Sequence, residues 1–144
     1  MTFTRPFIAL LVAFLFSISP IINAASSAEI NIGVKQTLKR FKTEIPGGAE
    51  FLSQAKGVLV FQTIIKAGFG IGGEYGEGAL QISGKTVSYY STAAASIGFQ
   101  LGAQSKSVVL IFMTHDSLKK FRNSEGWKAG VDGSVSLIEW GASE

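Results

Sequence analysis

The stretch of sequence that decides the fold runs from Ile65 to Leu80 and reads IKAGFGIGGEYGEGAL. Within it, Phe69 and Ile71 alternate with glycines, and alternation of this kind is typical of a β-strand. A strand with so few side chains can pack closely against neighbouring backbone. The stretch therefore predicts a glycine-rich antiparallel β-sheet or a partial barrel.

Further strands extend this sheet in both directions along the chain. The dipeptide Ser83-Gly84 separates Ala79–Ile82 from Lys85–Tyr90, which predicts a two-residue hairpin turn. The continuous apolar run Val108–Met113 predicts a central strand. The other predicted strands are Gly57–Phe61, Ile97–Ala103 and Val131–Leu137.

Three segments of the chain have helical signals. The longest runs from Glu29 to about Glu44, ends at Pro46-Gly47-Gly48, and follows a polar lead-in at residues 26–28. Ala49–Lys56 is a short amphipathic piece, and Thr114 is a predicted N-cap for a helix to about Asn123. The inward residues of that last helix are predicted to be Leu118 and Phe121. Strands and helices of this kind predict an α+β domain with an N-terminal amphipathic helix and one or two short helices.

The N-terminus has the pattern of a signal peptide. Arg5 supplies a positive charge, Phe7–Ile18 is apolar, and small residues follow around Ala24-Ala25. The apolar run is shorter than the roughly 20 residues that span a bilayer. We therefore predict a signal peptide over residues 1–25, with an uncleaved anchor as the alternative. The remaining residues 26–144 are predicted to be a single exported domain in the periplasm or at the envelope.

The composition limits the functional classes that fit this domain. The chain has no cysteine, so it is not expected to be a lipoprotein. Without the leader it holds 12 basic and 10 acidic residues, a net charge of +2 that is too weak to indicate nucleic-acid binding. Tyr89 and Tyr90 are adjacent and would face opposite sides of a strand, so they do not form a base-stacking platform.

The motifs that resemble catalytic or cofactor sites lack the required context. Gly68–Gly73 matches the dinucleotide fingerprint, but no helix-forming sequence follows and no acidic residue occurs between Glu77 and Asp116. His115 is the only histidine, which argues against a zinc site. We therefore predict no nucleotide, no cofactor and no metal.

The candidate catalytic side chains have ordinary structural interpretations. His115-Asp116-Ser117 are sequence neighbours, whereas a catalytic triad converges from separated positions. Glu74 and Glu77 would point to opposite faces of a strand. Lys66 and Lys106 are expected to be solvated strand residues. We predict that the protein is not an enzyme.

The feature left for function is the amphipathic segment from Glu29 to Glu44. Its apolar stripe consists of Ile30, Val34, Leu38, Phe41 and Ile45. Lys35, Lys39 and Lys42 flank the stripe on one side, and Arg40 lies on the other. Such a helix can lie in a bilayer interface, or it can pack on its own domain with a solvated lysine face.

Several blocks of the chain resemble the SYLF domain family, and they occur in the same order. They are Ala55–Phe61, Ile65–Leu80, Tyr89–Ala93, Gly98–Gln104 and Gly126–Ser134. The resemblance implies a lipid-binding module of a bacterial exported type, with a basic amphipathic helix that contacts anionic phospholipid. It assigns the basic role to Lys35, Lys39, Arg40 and Lys42, and the apolar face to Ile30, Val34, Leu38 and Phe41. The actin role and phosphoinositide preference of eukaryotic members are not expected here.

The chain departs from the family at its C-terminus. Family members usually continue with more strand-forming sequence beyond the position of Gly141, whereas this sequence stops at Glu144. A missing strand would leave an open sheet edge, which can recruit a partner strand. A protein-interaction module, including a homo-oligomer, is therefore the alternative prediction.

Overall fold

The protein is an α+β domain built on one open antiparallel sheet. The structure, a computed structural model, describes residues 17–20, 24–124, 127 and 133–141. The described elements are, in chain order, β1 (Ser17–Pro20), α1 (Ala24–Glu44), α2 (Gly48–Gln54), β2 (Gly57–Ile82), β3 (Lys85–Phe112), α3 (His115–Arg122) and β4 (Val135–Trp140). The predicted fold class is confirmed.

A long hairpin of β2 and β3 forms most of the sheet. Its turn is Ser83-Gly84, as predicted, with φ angles of 54° and 77°. Positive φ at both central residues is the geometry that a tight two-residue hairpin requires. The ladder then runs from the Ile82–Lys85 pair to the Gly57–Phe112 pair. The dinucleotide-like glycines lie within β2, where the fingerprint would require a helix.

Strand β3 is the centre of the sheet. One edge of β3 pairs with β2 along most of its length. The other edge pairs with β1 through Tyr90–Ala93 and with β4 through Ser107–Phe112. The prediction of a central strand at Val108–Met113 is therefore confirmed up to Phe112.

Alternating side chains divide the interior into two cores. The main-helix core lies under α1 and α2 and contains Val34, Phe41, Val58, Val60, Ala79, Val109 and Ile111. The short-helix core lies under α3 and contains Ile18, Leu59, Phe61, Ile64, Leu80, Tyr90, Val108, Leu110, Phe112, Leu118 and Phe121. Tyr90 belongs to the second core while Tyr89 packs against the first, so the two tyrosines face opposite sides as predicted.

The predicted helices are present, with shifted bounds. Helix α1 begins at Ala24, so the predicted polar lead-in at residues 26–28 is helical. Helix α3 begins after Thr114, whose hydroxyl accepts a hydrogen bond from the Ser117 amide at 3.1 Å. Leu118 and Phe121 are buried, as predicted.

Two expectations about strand residues are wrong. The final strand runs over Val135–Trp140 rather than Val131–Leu137, because Gly133 and Ser134 form a turn; residues 131 and 132 lie outside the described residues. Lys106 is not a solvated strand residue. Its side chain is 22 % exposed and forms ion pairs with Glu74 and Glu139.

Glycines allow the two ends of β2 to approach each other. A Cβ added at Gly78 would collide with the backbone carbonyl of Val60, and one added at Gly76 would lie 2.8 Å from the carbonyl of Thr63. Backbone cannot move aside as a flexible side chain can. The coiling of the hairpin therefore depends on the missing side chains.

We predict that Gly78→Ala lowers the free energy of unfolding by about 2 kcal/mol or more, because the new methyl group forces backbone apart. Urea denaturation measures this change. Gly133→Ala is the matched control, since a Cβ at Gly133 meets nothing within 4 Å; it should change the free energy by less than about 0.5 kcal/mol. Equal effects of the two substitutions would contradict the close-approach explanation.

Candidate functional site

Helix α1 docks on the sheet through its apolar stripe. The side chains of Val34 and Phe41 are 1 % and 0 % exposed, and Ile30 and Leu38 are partly buried against the same core. Of the two interpretations of this helix, the structure therefore supports core packing. The four apolar residues predicted to contact lipid are directed at the sheet, and the helix would have to undock to insert them in a bilayer.

The predicted lysines remain on the solvent side of α1. Lys35, Lys39 and Lys42 are exposed and share one flank of the helix, as their spacing of four and three residues requires. They line a groove of about 550 Å³ between the helix and the end of the β2–β3 hairpin. We call it the lysine groove; its lining is Asn31, Lys35, Leu38, Lys39, Lys42, Gln81, Gly84 and Thr86.

A second pocket continues from the lysine groove towards helix α2. It has a volume of about 380 Å³ and shares Leu38, Lys42, Gln81 and Gly84 with the groove. Its further lining includes apolar Leu52, Ala55 and Val58. Cationic and apolar surfaces therefore adjoin at one site.

Polar contacts hold the helix over the sheet near this site. The Tyr89 hydroxyl donates a hydrogen bond to Asn31 Oδ1 at 2.9 Å, which ties the start of α1 to β3. Gly33 brings the helix close to strand β2, since a Cβ there would collide with the Gln62 side chain. The position of the three lysines is thus set by the hydrogen bond at Asn31, which lies on the same flank, and by the close approach at Gly33, which lies on the other flank.

Arg40 is separated from the lysines. It lies on the other flank of α1, where its guanidinium pairs with Glu44 at 3.4 Å and its Cζ lies 5.5 Å from the centre of the Trp140 ring. The Trp140 indole N–H donates a hydrogen bond to Glu44 at 3.0 Å. The structure therefore does not bring Arg40 together with Lys35, Lys39 and Lys42. It places Arg40 in a contact between α1 and β4.

A cleft lined by acidic rather than basic side chains lies beside the start of α1. It has a volume of about 270 Å³, and Glu29, Ile65, Tyr75 and Glu77 are among its lining residues. Burial and the hydrogen bond from Tyr75 to Glu77 raise the pKa of the Tyr75 hydroxyl. Two carboxylates make this cleft unfavourable for phosphate groups.

The side chains considered as catalytic or metal-binding candidates do not come together at one site among the described residues. Glu74 is buried beside Lys106, whereas Glu77 accepts a hydrogen bond from Tyr75, so the two carboxylates are on opposite faces as predicted. Within the described ranges, no three metal-ligating side chains form a cluster. Among the helices the structure describes, none combines the length and apolar character of a membrane span.

Comparison with known families identifies the C-terminal part of the chain. Residues 93–144 match the family model Ysc84, described as Las17-binding protein actin regulator. The SYLF resemblance is thereby confirmed over these residues. The Ysc84 match covers β4 and most of β3, but it does not reach α1 or the turn that lines the lysine groove. A search of curated proteins finds no match.

One wall of the lysine groove was not predicted. The sequence indicated the Ser83-Gly84 turn, but nothing local showed that Gln81, Gly84 and Thr86 would face the lysines. That juxtaposition depends on how α1 lies across the hairpin. The residues that face the lysines could have been predicted only if the position of α1 on the sheet had been known.

We predict that the Glu44 contact stabilises the fold in a pH-dependent way. Hydrogen bonds from Arg40 and Trp140 hold the pKa of Glu44 below its ordinary value of 4.5. The stabilisation is therefore complete above that value and is lost as the pH falls through the lowered pKa. Glu44→Gln should lower the Tm at pH 7, and the difference from wild type should shrink below about pH 4.5.

Thermal unfolding followed by circular dichroism between pH 7 and pH 3 measures this difference. Glu29→Gln, at an exposed position inside α1, is the control for the loss of a carboxylate and should lower the Tm at pH 7 by less than Glu44→Gln does. A Glu44→Gln difference that stays constant over the whole range would contradict the prediction.

Proposed function

We propose that the protein is a non-enzymatic module that binds anionic phospholipid at an envelope membrane surface. The observation that carries this proposal is the lysine groove, whose three exposed lysines adjoin a pocket that includes apolar Leu52, Ala55 and Val58. Phosphate oxygens match the ammonium groups, and the apolar part of the pocket matches a segment of an acyl chain. The general link of the Ysc84 (SYLF) family to lipid binding supports the same function.

The proposed mechanism keeps α1 docked. Inserting Val34 and Phe41 in a bilayer would expose the sheet that they cover, at a cost of roughly 1.5–3 kcal/mol for each buried side chain. Electrostatic attraction of the exposed lysines to an anionic membrane surface leaves Val34 and Phe41 buried, so it has no such cost. A basic residue near an anionic leaflet contributes about 1 kcal/mol, so three lysines together contribute about 3 kcal/mol.

The proposed location is the periplasm or another envelope compartment. The support is the signal-peptide pattern of residues 1–25, of which residues 1–16 and 21–23 lie outside the described residues. With no cysteine to acylate, attachment would depend on the folded surface. The matched family is described as an actin regulator that binds Las17, and we propose that neither role applies to an exported chain.

We predict that replacing the three groove lysines weakens membrane binding. Lys35/Lys39/Lys42→Gln should lower the affinity for vesicles containing phosphatidylglycerol by about 100-fold, because each lost charge removes about 1 kcal/mol. Wild-type binding should also weaken as salt rises, because exposed charges are screened. Vesicle co-sedimentation at several salt concentrations measures both effects.

The control triple variant is Lys119/Lys120/Arg122→Gln, which removes the same charge from exposed positions on α3, away from the groove and its adjoining pocket. It should change the affinity less than tenfold. Equal losses in the two triple variants would show attraction by net charge alone. Equal binding of wild type to phosphatidylcholine vesicles would contradict the electrostatic mechanism.

A further inference from the structure

Strand β1 lies within the predicted signal peptide and is also part of the folded sheet. Ser17–Pro20 pairs antiparallel with β3, with Ser17 opposite Ala93 and Pro20 opposite Tyr90. The Ile18 amide donates a hydrogen bond to the Trp127 carbonyl at 3.0 Å. β1 therefore satisfies backbone groups on two parts of the domain.

The Ile18 side chain is the apolar anchor of β1. It is 3 % exposed and packs in the short-helix core. Together with Ile18, a small void of about 10 Å³ is lined by Phe61, Ile64, Thr92, Val108, Leu110 and Leu137. We call these surroundings of the Ile18 side chain the Ile18 slot. The Thr92 hydroxyl is also buried there and has no hydrogen-bond partner. The slot accepts one aliphatic side chain from a strand at the edge of β3.

Cleavage of the leader would remove this strand and leave the other described elements nearly whole. The predicted site near Ala24-Ala25 falls just after β1 and at the first residues of α1. Processing would remove the one described strand that pairs with Tyr90–Ala93 on that edge, and with it the side chain that fills the Ile18 slot. An unpaired edge beside an apolar slot is a template for another strand.

We propose that the processed protein has a strand-acceptor site at Tyr90–Ala93 of β3, and that an extended segment of a partner protein occupies it. The segment would carry a β-branched aliphatic residue in the Ile18 slot, between small residues like Ser17 and Ser19. β1 seated in this site shows the geometry and the side-chain pattern that the site accepts.

A strand from a partner protein fits the strand-acceptor site better than an acyl chain or a second processed copy would. An acyl chain would fill the Ile18 slot but would leave the backbone N–H and C=O groups of β3 unpaired. A second processed copy would lack Ser17–Pro20, so it could not donate the same strand. The inference rests on the proposed leader cleavage and is independent of the lysine groove, which lies on the α1 side of the sheet.

The test uses the protein isolated after export, with its N-terminus determined by mass spectrometry. A fluorescent peptide with the sequence of residues 15–23 and two added lysines for solubility is titrated, and its anisotropy is measured. We expect saturable binding, and at least tenfold weaker binding of the same peptide carrying Ile18→Asp. The unprocessed full chain should not bind, because β1 already occupies the site.

A variant on the protein separates this site from the lipid surface. Thr92→Arg places a long charged side chain in the Ile18 slot and should abolish peptide binding, while binding to phosphatidylglycerol vesicles is retained. Circular dichroism shows whether the variant folds. The comparison of the two peptides requires no protein variant, so it is decisive even if Thr92→Arg does not fold.

Several outcomes would overturn the proposal. They are an exported protein that retains Ser17–Pro20, equal binding of the two peptides, and equal binding by the unprocessed chain. A stable dimer that the peptide does not dissociate would assign the site to a second copy. A copurified lipid whose removal is needed before the peptide binds would assign the slot to an acyl chain.

Discussion

The close approach of Gly78 to the backbone of Val60 is the constraint on which the rest of the structure depends. It lets the two ends of β2 touch, so that one hairpin supplies side chains to two cores. The main helix then covers one core and the short helix α3 covers the other. A side chain at this contact would force the backbone apart and disturb the packing of the sheet under both helices.

The docking of α1 also determines which of its features are available for binding. Because Val34 and Phe41 face the sheet, the lysine flank faces solvent and the hairpin turn. Arg40, on the opposite flank, contacts Trp140 of β4 and so connects the helix to the final strand. The two cationic flanks of α1 therefore differ. The lysine flank lines an open groove, whereas Arg40 lies in a contact between α1 and β4.

Sequence patterns predicted the local features well. The Ser83-Gly84 turn and the Thr114 cap depend on a few adjacent residues, and both were located correctly. The features that were missed depend on contacts between distant residues. Lys106 has the pattern of an ordinary strand lysine, and only the fold brings Glu74 and Glu139 beside it. The pairing of Ser17–Pro20 with β3 likewise joins segments that are far apart in sequence. The apolar stripe of α1 could not by itself show whether it would meet a sheet or a bilayer.

The long hairpin also has a kinetic consequence. Its ladder starts at Ile82–Lys85, where the paired residues are close in sequence, and ends at Gly57–Phe112, where they are far apart. Pairing of distant residues slows folding, because loop closure costs entropy before the contacts form. Helix α1 packs on Val58 and Val109, which lie near the open end of the ladder, so it has a complete surface to dock on only when the ladder has closed. Docking of α1 is therefore expected to be a late step in folding, after the hairpin has closed.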